Sequence, residues 1–189
     1  DLSLDLVVTN PDRPAGRGKN LKTPECAEFA NTHSIKLIQT DNINKCDEAL
    51  SIMRNLDVVI VFAFSQFLSK TALKAPRLGC FNIHTSLLPS YRGAAPIQYA
   101  LLNHDTESGV SIQKMVKEMD AGDIVISHSV PIYPEDTQLS LSEKLKHASV
   151  LALQNFFEKA EANTLEFFTQ DQEAVSFAPS FVKEDGRLD

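Results

Sequence analysis

A chain of 189 residues with 43% hydrophobic and 23% charged side chains has the composition of an ordinary globular domain, which excludes an intrinsically disordered protein. Its 18 Lys and Arg against 25 Asp and Glu leave a formal charge of −7, which argues against a protein that coats nucleic acid, DNA included, through a broad basic face. No apolar run reaches the roughly 18 residues a membrane-spanning helix needs; the best run, Val58 to Phe64, is far shorter, and no membrane partner is expected.

Three cysteines, Cys26, Cys46 and Cys80, are widely spaced and odd in number. They read as buried thiols of a reducing compartment rather than a disulfide framework. Charge is uneven along the chain. Arg13, Arg17, Lys19 and Lys22 follow one another with no acid between, whereas Glu158 to Asp189 carries eight acids against three basic residues.

Strands and helices alternate in chain order. Ser3 to Thr9 (SLDLVVT) is β-rich. Asn10 to Asn20 (NPDRPAGRGKN) is dense in turn formers and is expected as a loop that Pro and Gly bar from regular structure. Thr23-Pro24 opens a helix to about Thr32, with Thr as cap and Pro in the first turn. Ile35 to Gln39 is a short strand. Asn44 to Asn55 has helical apolar spacing. Asp57 to Ala63 (DVVIVFA) is apolar on both faces, as a strand buried in a parallel sheet is. A helix over Ser65 to Ala75 ends at Pro76. Cys80 to His84 is a strand, Ala95 to Asn103 a helix, and Val110 to Val116 and Asp123 to Ile132 strands. Leu139 to Ala162 is one long helix capped at Thr137 or Ser140. The pairs Phe156-Phe157 and Phe167-Phe168 are expected in the core.

This alternation implies an α/β fold, a mainly parallel twisted sheet with helices on both faces. Ligands bind such sheets beyond the carboxyl ends of the strands. The loops after Thr9, Ala63, His84 and Val116 are therefore expected on one rim.

The segment Phe81 to Gln98 reads FNIHTSLLPSYRGAAPIQ. Asn82 and His84 stand two apart on a strand and so project from one face. Asn supplies an amide donor, and His an acid, a base or a charged donor. Downstream, Met119-Asp120-Ala121-Gly122-Asp123 sets carboxylates in a Gly-containing loop. Amide, imidazole and carboxylate together suit a reaction in which charge grows on a carbonyl oxygen. By spacing alone, a structural Asn-x-His and a simple turn at Asp120 account for the same residues. His33, His104, His128 and His147 are scattered, none at metal-ligand spacing, and no metal is expected. Neither G-x-G-x-x-G nor a P-loop is present.

Asn82-x-His84, Ser86-Leu87-Leu88-Pro89 and the Asp120 loop resemble the signature of formyltransferases that use 10-formyltetrahydrofolate. The extensions YRGAAPIQ (Tyr91 to Gln98) and PDRPAGRGK (Pro11 to Lys19) resemble the branch that formylates initiator methionyl-tRNA. The resemblance covers nearly the whole chain. It implies a Rossmann-like formyltransferase core over residues 1–182, with 10-formyltetrahydrofolate as co-substrate, initiator methionyl-tRNA as partner, a monomeric state and no metal. It also implies roles. Asn82 and His84 would hydrogen-bond the formyl oxygen as charge develops, and Asp120 would orient His84 or keep it protonated. Ser86, Leu87, Leu88, Pro89, Ala63, Phe64 and Met119 would line the folate pocket. Arg13, Arg17, Lys19 and Arg92 would meet the tRNA; a merely solvated basic loop is the competing reading for the first three, and a paired loop residue for Arg92. The attacking α-amine has an ordinary pKa of about 7.7–8.0, so the site's larger task is positioning and charge stabilisation.

Against the family pattern, the chain lacks a first strand, loop and helix, and residues 183–189 read as the start of a linker to an absent tRNA-binding domain. It is therefore expected to be a catalytic-core fragment. Such an enzyme works in the bacterial cytoplasm, a mitochondrion or a plastid. Two rivals stay open: a formyltransferase for an amino-sugar nucleotide, which shares Asn-x-His, Ser-Leu-Leu-Pro and the Asp loop, and a non-catalytic folate- or tRNA-binding remnant.

Overall fold

The computed structural model describes residues 2–15 and 20–186. In chain order these form β1 (Val7–Thr9), β2 (Arg13–Ala15), β3 (Asn20–Lys22), α1 (Glu25–Thr32), β4 (Leu37–Gln39), a 3-10 turn (Ile43–Lys45), α2 (Asp47–Met53), β5 (Val59–Val61), α3 (Lys70–Leu73), β6 (Cys80–His84), α4 (Pro96–Leu102), β7 (Glu107–Lys114), β8 (Ile124–Pro131) and α5 (Gln138–Glu161), with 3-10 turns at Gln172–Ala174 and Lys183–Gly186. Two compact units result. One holds residues up to Val59 together with Ala63–Gly79; the other holds Ile60–Phe62 and the chain from Cys80 onward.

In the first unit β1 and β4 pair in parallel, Val8 opposite Ile38. The connection between them carries α1, as a parallel pair requires. α1 turns Ala27 and Ala30, both fully buried, toward these strands. Small side chains three apart on a helix permit such a close approach. Cys26, on the same helix, is exposed rather than buried.

Two expectations change here. The basic stretch is not all loop: β2 and β3 pair antiparallel, Pro14 opposite Leu21. A two-stranded ribbon tolerates Pro, because an N–H facing outward is not needed for pairing. The helix expected from Ser65 shrinks to α3, because residues 65–69 are held otherwise. Ser65 has φ +60°. The Gln66 carboxamide donates to Asn10 Oδ1 and to the Thr40 carbonyl, each at 2.8 Å, and accepts from Ile43 N–H at 2.8 Å. Those tertiary bonds outweigh a helical preference that is weak in any one residue.

The second unit is built on a sheet of order β5-β6-β7-β8. The α/β class holds, with strands of both directions: β1–β4 is parallel, while β6–β7 and β7–β8 are antiparallel. The connection from β7 to β8, residues 115–123, is too short for a crossover helix, so these neighbours run antiparallel. Phe81 and Ile83 point to one face of β6 and are buried, Phe81 completely. α5 covers β7 and β8 with a stripe of Leu141, Leu145, Ala148, Ala152 and Phe156, none more than 2% exposed. Phe156 meets Phe81 at a ring-centroid distance of 4.8 Å. Burying a side chain of this size contributes about 1.5–3 kcal/mol. Thr137 starts α5 with the expected cap: its Oγ accepts from Ser140 N–H while Ser140 Oγ accepts from Thr137 N–H. Phe167 and Phe168 are 44% and 57% exposed and so stand outside the core. Their segment runs along the sheet edge, where Phe168 exchanges both backbone hydrogen bonds with Ile124 at 2.9 Å.

Candidate active site

The face of β6 opposite Phe81 carries Asn82 and His84. In the antiparallel register Asn82 stands opposite Gln113 and His84 opposite Ser111. Cross-strand partners share a face, so these four side chains form one polar surface on an otherwise apolar sheet. The chain leaving β7 turns back over that surface, and its Met115 N–H donates to the Cys80 carbonyl at 2.8 Å. Asp120 lies on this returning loop.

Asp120 is the centre of the cluster, with its side chain only 11% exposed. Its Oδ1 accepts from Gln113 Nε2 at 2.8 Å and from Asn82 Nδ2 at 3.5 Å. Its Oδ2 accepts from the backbone N–H of Gly93 at 2.9 Å and stands 3.7 Å from His84 Nδ1. His84, 6% exposed, has its other ring nitrogen 2.8 Å from the Tyr91 carbonyl. A carbonyl only accepts, so Nε2 carries a proton and donates it there. The nitrogen turned to Asp120 is therefore Nδ1. Asp120 has φ +50°, which for a residue with a side chain costs roughly 1–3 kcal/mol and persists only where the surroundings enforce it.

Around this centre the backbone is tightly built. At Gly122 a Cβ would stand 1.7 Å from the Lys114 carbonyl oxygen, so only glycine fits, and its N–H donates to Gln113 Oε1 at 3.1 Å. Ser86 and Leu88 are buried. Ser86 Oγ donates to the Ser90 carbonyl at 2.6 Å, and Ser111 Oγ links the two sides by donating to the Ser86 carbonyl and accepting from Leu88 N–H. The Ser-Leu-Leu-Pro turn is thus committed to its own geometry, and only Leu87 and Pro89 keep partial exposure. Met119 is 54% exposed beside Asp120. Ala63 and Phe64 belong to the first unit, Ala63 exposed with φ +49° and Phe64 half-buried.

The basic residues separate. Arg13 lies on β2, with its guanidinium 3.4 Å from Asp41 on the surface. Arg17 and Lys19 lie outside the described residues. Arg92 departs from the surface role expected of it. It is 7% exposed, and its Nε and Nη2 both donate to Gln170 Oε1, at 3.0 and 2.8 Å. A buried guanidinium with its donors engaged is a structural strut rather than a nucleic-acid contact.

Three contributors escaped the sequence reading. Gln113 is a polar residue in the apolar run VSIQK, and its alternation with Ser111 is the one signal it leaves. The Gly93 N–H and Gln170 leave none. Among the described residues no group of three or more His, Cys, Asp or Glu side chains is placed to hold a metal ion. Chemically, the cluster offers an amide and an imidazole beside a largely buried carboxylate, a donor set suited to a carbonyl oxygen that gains charge.

Residues 2–156 match the family model described as formyl transferase. Among curated relatives, a methionyl-tRNA formyltransferase from Thermotoga maritima is 42% identical over 181 residues, 95% of this chain and 58% of the relative. One from Legionella pneumophila (strain Paris) is 41% identical over 187 residues, 98% of this chain and 59% of the relative. The chain therefore spans a little under three-fifths of the length of these relatives. In fold it is similar to phosphoribosylglycinamide formyltransferase from Anaplasma phagocytophilum, with a TM-score of 0.75 at 19% identity over 95% of this chain and 87% of that one. It is likewise similar to the formyltransferase PseJ from Anoxybacillus kamchatkensis, solved with a formamido sugar nucleotide and tetrahydrofolate, with a TM-score of 0.68 at 19% identity over 96% and 88% of the two chains. A family match over most of the chain, the formyltransferase fold and a polar cluster on the Asn-x-His strand agree: the chain belongs to the formyl transferase family.

Proposed function

We propose that this chain is the catalytic part of an enzyme that transfers a formyl group from 10-formyltetrahydrofolate to the α-amine of initiator methionyl-tRNA. The observation that carries the reading is identity of 38–42% over 95–98% of the chain to relatives named methionyl-tRNA formyltransferase. Neighbours in fold solved with tetrahydrofolate or a formyl derivative support the co-substrate.

10-Formyltetrahydrofolate supplies the formyl carbon that the amine attacks. The chain's own residues then have three tasks. The Asn82 amide, half-buried at the sheet face, has a second N–H to donate to the negative charge that grows on the formyl oxygen, and the His84 imidazole, its Nε2–H held by the Tyr91 carbonyl, stands beside it to stabilise that charge. Asp120 holds both in place: its Oδ1 engages Asn82 Nδ2, and its Oδ2 faces His84 Nδ1. The Tyr91 carbonyl fixes the far side of the imidazole. Donors set before the reaction begins need no reorganisation as charge develops, the usual source of the largest catalytic effect. The partly exposed Leu87, Pro89 and Met119 supply apolar surface for the folate. For tRNA, Arg13, Arg17 and Lys19 supply cations. The exposed Arg13–Asp41 pair contributes so little that a phosphate can replace it. With this activity the protein works as a monomer in the bacterial cytoplasm.

The test is a formyl-transfer assay on the full-length protein, offering methionyl-tRNA and an amino-sugar nucleotide in parallel. Formylation of methionyl-tRNA alone is expected. Preferential formylation of the sugar, or binding of either substrate without transfer, overturns the reading.

A further inference from the structure

The chain after α5, downstream of the residues that match the family, crosses back over the candidate site. Its most deeply placed polar side chain is Gln170, 3% exposed and 78 residues from one partner and 50 from another. Gln170 Oε1 accepts from Arg92 Nε and Nη2, at 3.0 and 2.8 Å. Its Nε2 donates to the carbonyls of Asp120 and Gly122, at 2.9 and 2.7 Å. One carboxamide thus joins the Tyr91–Gly93 turn to the loop bearing Asp120. Those are the two segments between which the Gly93 N–H reaches Asp120 Oδ2 at 2.9 Å. The same strap is sewn along its length: Tyr91 N–H donates to Ser176 Oγ at 2.9 Å, Arg92 N–H donates to the Ser176 carbonyl at 2.8 Å, and Ala178 N–H donates to the Arg92 carbonyl at 2.8 Å.

We propose that Gln170 is a positioning residue for formyl transfer, acting through Arg92 and the Asp120 carbonyl to hold the Asp120 carboxylate against Gly93, Asn82 and His84. The proposal rests on the formyltransferase reading above. A carboxamide suits the place because it presents an acceptor to a guanidinium and two donors to two carbonyls at once. No other neutral side chain of that length offers both. With all these groups buried, losing either end leaves unsatisfied polar atoms, and the strained Asp120 loses part of what enforces it.

The experiment compares Gln170→Glu and Gln170→Leu with wild type in the full-length protein. Glu keeps an oxygen for Arg92 but sets its second oxygen against two carbonyls; Leu removes both ends. Kcat is expected to fall about tenfold or more in each, because small misplacements of catalytic groups cost that much. KM for 10-formyltetrahydrofolate and for methionyl-tRNA should change by less than about threefold, since Gln170 touches neither substrate. Hydrogen exchange at the Gly93 and Gly122 amides should quicken about tenfold or more, while Leu145 in α5 keeps its wild-type rate. A residue that merely stabilises the fold lowers Tm and leaves kcat per folded molecule and the relative exchange of these two amides unchanged. That pattern overturns the proposal. If wild type transfers no formyl group, the functional reading fails, and the exchange measurement, which needs no substrate, still decides the clamp. Should Gln170→Leu not fold, Gln170→Glu, equal in size to the native residue, carries both readouts.

Discussion

Gly93 donates its backbone N–H to Asp120 Oδ2 at 2.9 Å, across 27 residues of sequence. Gly93 has φ +128°, and a Cβ there would stand 2.6 Å from the Ala178 carbonyl oxygen. The N–H that holds the carboxylate therefore sits on a residue that cannot carry a side chain. Gly93→Ala is expected to destabilise the fold by about 2 kcal/mol or more and to lower turnover of the folded protein as well. Denaturant midpoints and steady-state rates on one preparation check this. Unchanged kcat in a destabilised but folded variant would separate the Gly93 contact from catalysis.

In the proposed mechanism His84 and Asp120 act on charge that develops only as the reaction proceeds. In the full-length enzyme, His84→Ala and Asp120→Asn should each lower kcat by roughly 10²–10³, the usual effect of removing such a stabilising group. Folate affinity should hardly move, because the lost interaction is absent from the ground state. Asp120→Asn preserves volume but sets an amide against the donors of Gln113, Asn82 and Gly93. Turnover within a few-fold of wild type at saturating substrate removes either residue from the mechanism.

Acid stability depends on the start of α5. The Lys144 ammonium, the Tyr133 N–H and the Ser140 hydroxyl all donate to the Asp136 carboxylate, and they hold its pKa down at about 2 against an ordinary 3.8. A carboxylate depressed in the folded state stabilises it above its unfolded pKa, and that contribution disappears as pH falls through the folded value. Asp136→Asn should therefore melt below wild type at pH 6, with the gap narrowing between about pH 4 and about pH 2. Thermal melts across that range decide the matter; a gap of constant size shows that the Asp136 charge does not contribute.

The cation run from Arg13 to Lys22 suits phosphate contact. Arg17→Ala is expected to raise KM for methionyl-tRNA while leaving 10-formyltetrahydrofolate binding nearly unchanged. Each phosphate contact releases about 0.7–0.9 of a counterion. The plot of log affinity against log salt should accordingly be shallower in the variant by about that amount. Equal slopes for the two proteins mean that Arg17 makes no phosphate contact.

Much of this protein is legible along the chain. The strand Cys80–His84, the long helix α5 with its Thr137 cap, and the chemical residues Asn82, His84 and Asp120 all follow from local pattern and motif. They do so because periodicity, capping and motif spacing are properties of neighbouring residues. Other features depend on partners far away in sequence. Nothing near Gln66 announces that its carboxamide will unmake the first turn of a predicted helix by bonding Asn10 and Thr40. Nothing near Pro14 announces that it will pair with Leu21. Arg92 beside a conspicuous motif looks like a surface cation until Gln170 arrives to bury it. The assembly of the site is decided at the same level. Antiparallel register sets Gln113 opposite Asn82, and a returning loop brings Asp120 over both. Hydrogen bonds between residues tens of positions apart form only once the strands have paired and the apolar faces of β6 and α5 have closed on Phe81 and Phe156. The sequence alone determines which groups can do the chemistry. Tertiary packing alone decides their mutual geometry, because a buried polar group must find its partner wherever the fold supplies one.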